Sequence, residues 1–482
     1  MVKRRMSRST FLLGVGGTAA LSTLGLKGSV AHTRPRNVLW VVDDDHPPYM
    51  MAPMPLTRHK IRDLGTNFTS GSTDIPLCGP ARVSLLTGLS VTTHQCDTNW
   101  TWPKFEGSSH GLAERSVARY LKDAAYTTGH FGKYINGRSG VSAVPPHWDR
   151  WCEIEGSGTD SPTRPGTDSP TRPNRGNVDG TWVDILGIAS VWAAQMCAQF
   201  VRESAGSPWF AHYCPTIPHH PYTPSPRSRH LHDGARRRAP TVNEKDMSDK
   251  PKWMRDLPPA SLRGTRHEYE GKKEELADLD YYGMRSIFGA IEATGQLKDT
   301  VIFFTSDNGY LHGEHRLRAK DEPYWESSEV PFFVKGPGVR RGKSQALVNH
   351  TDLMPTTCEI AGIPPSSLDV DGRSMLANLG RRSFFRWRKR MLICGSDTVG
   401  PEQNPGGSKD PSGNWWLLRE GRNTFILREN GAKELYRMKS DPYQQRNKSR
   451  TADKALIRHL TNRVKAMRRA SGEARRRLEE AP

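Results

Sequence analysis

The chain has 482 residues, 35% of them hydrophobic, with a mean hydropathy of −0.68, enough for a large core yet polar for its size, so one large unit with a smaller appendage is expected. Lysine and arginine outnumber aspartate and glutamate by 70 to 51, a formal charge of +19, which suits either an anionic partner or a solvated basic surface. Paired Cys/His zinc spacing and aromatic-basic repeats are absent, which argues against nucleic acid and leaves an anionic substrate as the functional reading.

Residues 1–36 read as an export signal. Lys3, Arg4, Arg5 and Arg8 precede an apolar, Gly/Ala-rich run over 11–26, and Ser29-Val30-Ala31 offers a cleavage site. The run is interrupted by glycines and too weak for a stable membrane span, and its arginines supply only parts of a twin-arginine signal. Asn37-Val38-Leu39-Trp40-Val41-Val42 is nearly unbroken apolar sequence, as in a central strand covered on both faces, and it runs into Asp43, Asp44 and Asp45. Acids at the carboxyl end of such a strand lie where open α/β sheets bind ligands, and a divalent cation is one way to hold three of them together. A turn or helix cap uses the same residues.

In Pro76-Leu77-Cys78-Gly79-Pro80-Ala81-Arg82-Val83-Ser84-Leu85-Leu86-Thr87-Gly88, Pro80 suits the first turn of a helix whose free N–H groups and dipole favour an anion at Cys78. Arg82 falls on the same side one turn later. The stretch therefore presents either a reactive sulfur facing a fixed cation or a structural cysteine heading a core helix. The seven cysteines are widely spaced, give no disulfide framework, and are odd in number, so they cannot all pair.

Residues 117–125 read as an amphipathic helix, followed by Thr128-Gly129-His130-Phe131-Gly132-Lys133-Tyr134-Ile135-Asn136, where Lys133 alone is an ordinary surface charge. Residues 158–165 and 166–173 duplicate Gly-Thr-Asp-Ser-Pro-Thr-Arg-Pro, a polar loop expansion that is too short-lived for a repeat fold. Residues 182–202 have helical character, and 209–213 form an inner strand entering Cys214-Pro215-Thr216-Ile217-Pro218-His219-His220-Pro221. Prolines stiffen that segment, which either lies on the surface or presents an imidazole into a cleft. Residues 227–271 read as a long charged surface excursion, and 276–291 as a helix with Leu276, Leu279, Met284, Ile287 and Ile291 on its buried face. Val301-Ile302-Phe303-Phe304 is a second buried strand, ending at Asp307-Asn308-Gly309, where Asn-Gly alone signals a turn. Beyond 381, residues 415–419 and 423–427 read as paired strands, and Leu456, Leu460, Val464 and Met467 as the stripe of a basic terminal helix.

These stretches together resemble the type I sulfatases of the alkaline-phosphatase-like superfamily. The run from Cys78 fits that family's signature throughout: Cys-x-Pro-Ser/Ala-Arg, two residues, two apolar residues and Thr-Gly. In that family a formylglycine-generating enzyme oxidises the cysteine, and the hydrated aldehyde of formylglycine is the nucleophile. The resemblance implies an α/β fold with a large mixed, mainly parallel sheet flanked by helices, and a small C-terminal α+β subdomain. It divides the chain into a leader at 1–36, a catalytic domain at 37–380 and a C-terminal subdomain at 381–482.

The resemblance further implies one divalent cation, Ca²⁺ by family habit, held by Asp44, Asp45, Asp307, Asn308 and the group derived from Cys78. Arg82 would orient the nucleophile, Lys133, His219 and Lys320 would contact the sulfate, and His219 or Lys320 would protonate the departing oxygen. Two positions depart from the pattern. Ile135 stands where many members have a histidine, leaving Asn136, a neighbouring histidine or water for its work, and Leu311 stands where some have another, with His312 one later as a possible active-site residue. The implied substrate is a sulfated carbohydrate or an aryl sulfate, met outside the cell by an exported protein, the motifs being nearest those of glucosamine-6-sulfatase-like and arylsulfatase-like members. A phosphonate monoester or phosphodiester hydrolase with the same site, and a silent exported anion-binding protein, are the alternatives.

Overall fold

Alternation along the first strand organises the architecture. In the computed structural model, which describes residues 36–107, 111–155, 174–382, 384–396 and 413–481, Asn37–Asp43 forms β1, buried along its whole length. Residues 1–35 of the leader expected at 1–36, with its expected cleavage site, and the duplicated octapeptide lie outside the described residues. Val38, Trp40 and Val42 pack in one cluster with Val83, Leu86, Leu121 and Leu353, whereas Leu39 and Val41 pack in another with Ala193, Ala194, Ile287 and Ile291. A strand that is apolar on both sides has to be covered on both sides. Helices α1 (Cys78–Thr87), α2 (Val117–Asp123) and α6 (Leu353–Ile360) supply one cover, and α3 (Ala189–Glu203) and α5 (Arg285–Ala293) the other. Between the last two in sequence lies α4 (Leu262–Asp278).

Among the described residues the main sheet has ten strands. After β1 come β2 (Thr66–Phe68), β3 (Thr127–Gly132), β4 (Arg150–Ile154), β5 (Asn174–Val178), β6 (Thr181–Ile185), β7 (Trp209–Cys214), β8 (Thr300–Ser306), β9 (Phe333–Lys335) and β10 (Gly342–Ser344). Their order is β10-β2-β9-β8-β1-β7-β3-β4-β5-β6. The run β8-β1-β7-β3-β4 is parallel, while β9 pairs antiparallel with both its neighbours, as does β5. This is the mixed, mainly parallel sheet flanked by helices that was expected. Register matters most at its centre, where Asp43 pairs with Ser306. Chain leaving β1 and chain leaving β8 therefore emerge side by side.

A second sheet is an antiparallel meander of β11 (Arg390–Gly395), β12 (Trp415–Glu420), β13 (Asn423–Arg428) and β14 (Lys433–Arg437). One set of its side chains, Leu392, Leu418, Phe425 and Leu435, packs on Ile75, Leu77 and Ala81 and on Leu460, Val464 and Met467 of α7 (Lys454–Met467). The alternate set, Ile393, Leu417, Ile426 and Tyr436, packs on Leu311, Leu317 and Tyr324. The meander thus braces the segments on either side of Cys78 and Lys320. A last helix, α8 (Gly472–Glu480), follows.

Two expectations need correction. Trp182 belongs to β6, not to a helix, because Gly187 at φ 85° separates that strand from α3. The helix expected at 276–291 begins at Leu262 and passes through a π turn at Leu279–Met284, so the surface excursion ends ten residues earlier than its composition suggests. Its buried positions before Leu276 include Lys272, Glu274 and Glu275, which leave no apolar stripe to read. All seven cysteines are buried and unpaired, and no described helix is long and apolar enough to cross a membrane.

Candidate active site

The paired ends of β1 and β8 start the site. Asp45 turns the chain with φ 63°, its N–H donates to Asp307 Oδ1 at 3.2 Å, and Asn308 Nδ2 donates to Asp45 Oδ1 at 2.6 Å. Asp43, the extra acid, faces away and takes His46 Nδ1 at 2.7 Å, so it stands apart from Asp44 and Asp45. Helix α1 brings Cys78 as its first residue. The N–H of Gly79 donates to Asn99 Oδ1 at 2.9 Å, and a Cβ on Gly79 would meet Thr101 Oγ1 at 2.7 Å, so a larger residue would shift the helix start. Sγ of Cys78 lies 3.3 Å from Asp44 Oδ1, 3.5 Å from Asn308 Oδ1 and 2.8 Å from Lys320 Nζ.

Cations close this arrangement. One turn along α1, Arg82 reaches Asp307 Oδ2 with Nε at 3.0 Å and Nη2 at 2.9 Å, and donates from Nη1 to the Lys133 carbonyl at 2.9 Å. Gly132, at φ 109°, ends β3 where any Cβ would sit 2.0 Å from the Cys214 carbonyl, and the bend sends Lys133 Nζ to Asp44 Oδ2 at 2.7 Å. Lys320 bonds Asp45 Oδ1. His219, at the rim, has Nε2 3.8 Å from Asp45 Oδ2, while Nδ1 meets the His220 carbonyl at 2.7 Å. The nine residues to which the resemblance gives a catalytic or metal-holding role lie together.

Burial, then Asp307 and Asp44, push the Cys78 thiol far above its usual range. The sulfur is held as a thiol, against the expectation of an anion at the helix head: burial and two adjacent carboxylates outweigh the dipole and the lysines. Burial opposes charge on Arg82, Lys133 and Lys320, yet the carboxylates beside them raise all three. Burial also raises Asp44 and Asp45, but Lys133 for the first and Lys320 for the second lead the cations that hold both below the usual carboxylate range. Burial and the neighbouring Asp44 push Asp307 up to about 6. Burial keeps His219 neutral. The donor set, three carboxylates and an amide oxygen, fits a hard divalent cation, and the Lys320 ammonium on Asp45 shows that positive charge is accommodated among these groups.

The family model described as Sulfatase matches residues 37–363. The chain belongs to the sulfatase family. It is similar to a putative extracellular sulfatase Sulf-1 homolog of Caenorhabditis elegans, 28% identical over 381 residues, covering 75% of this chain and 52% of that protein. It is also similar to the human N-acetylglucosamine-6-sulfatase, 26% identical over 519 residues, covering 97% and 89%. The chain spans about half the length of the nematode relative. A solved structure described as a complex with its substrate D-glucosamine-2-N,6-O-disulfate has the same alkaline-phosphatase-like fold, with a TM-score of 0.71 at 19% identity over 93% of this chain and 99% of that one. Sulfatases generally use formylglycine and a divalent cation.

Around the sulfatase centre the structure adds one residue that no motif marked. Lys272, buried in α4, donates to the Asp45 carbonyl at 3.2 Å and to the Pro218 carbonyl at 2.8 Å, with its ammonium 4.0 Å from the Tyr310 ring centre. It joins the acidic turn to the segment carrying His219, but in sequence it is one charge within a charged stretch. His312 is boxed by Tyr269 and Tyr310, and its Nδ1 is 2.9 Å from Tyr49 Oη; that hydrogen bond, not Cys78, sets its position. Ile135 is packed in the core, and the neighbouring Asn136 is also buried. Beyond Arg82, His130, His212 and Cys214 form a second buried cluster on β3 and β7.

Proposed function

We propose that this chain hydrolyses sulfate esters at the Cys78 centre, with a hydrated formylglycine made from Cys78 as nucleophile and a sulfated carbohydrate as substrate. The observation that carries this reading is the convergence of the signature cysteine, an oxygen donor set and three fixed cations in one buried centre. Unmodified Sγ stands in for a hydroxyl of the hydrate. A neutral thiol among carboxylates is a poor nucleophile, which favours conversion of Cys78 by a formylglycine-generating enzyme.

Asp44, Asp45, Asp307 and Asn308 would hold the cation, and oxygen donors favour Ca²⁺. When bound, the cation supplies charge that makes the nucleophile easier to ionise and that offsets a sulfate oxygen. Arg82 fixes Asp307 and the Lys133 carbonyl, and so the distance between the acidic pair and the bend that delivers Lys133. Lys133 and Lys320 present ammonium groups to the sulfate oxygens, stabilising charge as it shifts in transfer. Between the two candidate acids, hydrogen bonding favours Lys320. The His219 proton belongs on Nδ1, against the His220 carbonyl, so the neutral ring offers a lone pair at Nε2.

A sulfated glycan is supported by likeness to N-acetylglucosamine-6-sulfatase over nearly the whole chain and by the +19 charge. Likeness to relatives named extracellular supports export. The division at 37–380 and 381–482 is supported by the separate meander. The test is peptide mass spectrometry across Cys78 on protein made with the converting enzyme, followed by turnover of an aryl sulfate, 6-sulfated N-acetylglucosamine and an aryl phosphodiester. A mass about 18 Da below the cysteine form with faster sulfate release is expected. An unconverted cysteine overturns the mechanism, and faster phosphodiester cleavage overturns the substrate class.

A further inference from the structure

A cleft of about 680 Å³ opens where residues 249–256 meet the turn between β13 and β14 and the segment that follows β14. It shares no residue with the Cys78 centre. Its walls are tied together: Lys250 donates to the Gln445 carbonyl at 2.7 Å, and Asn447 donates from its backbone to Asp249 Oδ2 at 2.7 Å. The cleft therefore exists without a ligand to shape it.

Its lining combines one aromatic ring with unbalanced positive charge. Trp253 is half-buried, its Nε1 has no hydrogen-bond partner among the described residues, and the Arg428 guanidinium lies 5.7 Å from the ring centre, so packing and that cation position the ring. Arg255 and Arg450 are exposed at the lining with no side-chain hydrogen bond or ion pair among the described residues, and Lys433 lies beside them. Both lining carboxylates are already engaged. Asp249 accepts from Lys250 at 2.8 Å as well as from Asn447, and Asp256 takes Lys252 at 2.8 Å. Two guanidiniums without hydrogen bonds on the same lining as a half-buried indole suit a ligand with an apolar face and pendant anions. A sulfated pyranose has both: its ring stacks on an indole, and its sulfates accept paired N–H donors.

We propose that this cleft is a second binding site for a sulfated sugar residue, one that takes a residue of a longer sulfated chain. This rests on the sulfated-carbohydrate reading. The basic patch at the sheet edge serves as its contrast: His59, Arg62, Arg341 and Lys343 line a hollow of about 560 Å³ there with no Trp, Tyr or Phe in the lining. Cations on an edge strand such as β10 already have a role in blocking strand pairing.

The experiment uses the full chain with Cys78→Ala, which binds without turning over, titrated calorimetrically with a heparin-derived octasaccharide. Arg255→Ala/Arg450→Ala is compared with Arg341→Ala/Lys343→Ala at the sheet edge, and Trp253→Phe with Trp253→Ala. The cleft pair and Trp253→Ala are expected to weaken binding about tenfold, and Trp253→Phe and the edge pair less than twofold. Aryl sulfate turnover by otherwise wild-type protein with the same cleft substitutions stays unchanged. Equal weakening by the edge pair means diffuse charge alone and overturns the proposal, as does unaltered binding in the cleft variants. Loss of aryl sulfate turnover in every form, with the cleft effect intact, would instead overturn the hydrolase reading and leave this site standing.

Discussion

Two buried clusters of metal-ligand side chains have Arg82 as a common neighbour, and they differ in what they leave uncommitted. Around Cys78, carboxylates and ammonium groups are held in pairs, so each ion is exchangeable: a sulfate oxygen can take an ammonium, and a metal can take a carboxylate. In the second cluster Cys214 Sγ meets His212 Nε2 at 2.9 Å, His212 Nδ1 meets His130 Nδ1 at 3.1 Å, and His130 Nε2 meets the Gly132 carbonyl at 3.2 Å. One proton per group satisfies that whole row with no charge at all. Burial pulls His212 down to about 3 and His130 well below its usual value, and pushes Cys214 up to about 12. Residue type alone does not make a reactive centre. Unspent charge does.

The sharpest way to break that contrast is Cys78→Ala, expected to lower sulfate ester hydrolysis on the order of 10⁴-fold or more while the melting temperature shifts little. Turnover assays beside thermal melts check it, and residual activity within tenfold of wild type would refute the assignment. Next come Asp45→Asn and Asp307→Asn, expected to cost roughly 10²- to 10³-fold in kcat and to abolish stabilisation by added Ca²⁺, read as a thermal shift. Retained Ca²⁺ stabilisation in both would move the metal elsewhere.

Lys272→Met tests whether the bridge between the Asp45 and Pro218 carbonyls matters. A loss of about 10- to 100-fold in kcat is expected, with weaker Ca²⁺ binding by calorimetry and partial rescue by Lys272→Arg. In the second cluster, His212→Leu should cost about 1–3 kcal/mol in urea unfolding, because it strands Cys214 and His130, yet change kcat less than threefold. A large kcat effect with normal stability would make that cluster part of the chemistry.

The smallest effect is a slope. A histidine held at about 3 when folded and 6.5 when unfolded lets the unfolded chain take protons first, so stability is full above 6.5 and falls as the pH drops below it. Each such histidine contributes about 1.4 kcal/mol per pH unit at most, and His212→Leu should flatten the acid limb of urea midpoints between pH 6.5 and 5 by one such contribution.

Local pattern was enough for much of this molecule. The apolar runs at 37–42, 209–213 and 301–304 became central strands because a run with no polar face has to lie inside a sheet. The leucine and valine stripe of α7 was readable from its helical spacing, which sets one apolar face against polar positions. Helix α4 was not, since its buried positions before Leu276 include charged groups whose partners are backbone groups far away in the sequence. Lys272 was lost with it.

By itself the sequence determined which chemistry the site can hold, because a cysteine signature, an acid pair and an Asp-Asn pair each lie within a few consecutive residues and at strand or helix ends that their neighbours specify. Only the tertiary structure decided that the pieces meet. The register of Asp43 against Ser306 spans more than half the chain, and it arises from strand pairing and two-sided packing that no local window contains. The same holds for the neutral state of Cys78 and for the turning away of Asp43 to His46, since an ionisable group takes its charge from whatever packing brings beside it.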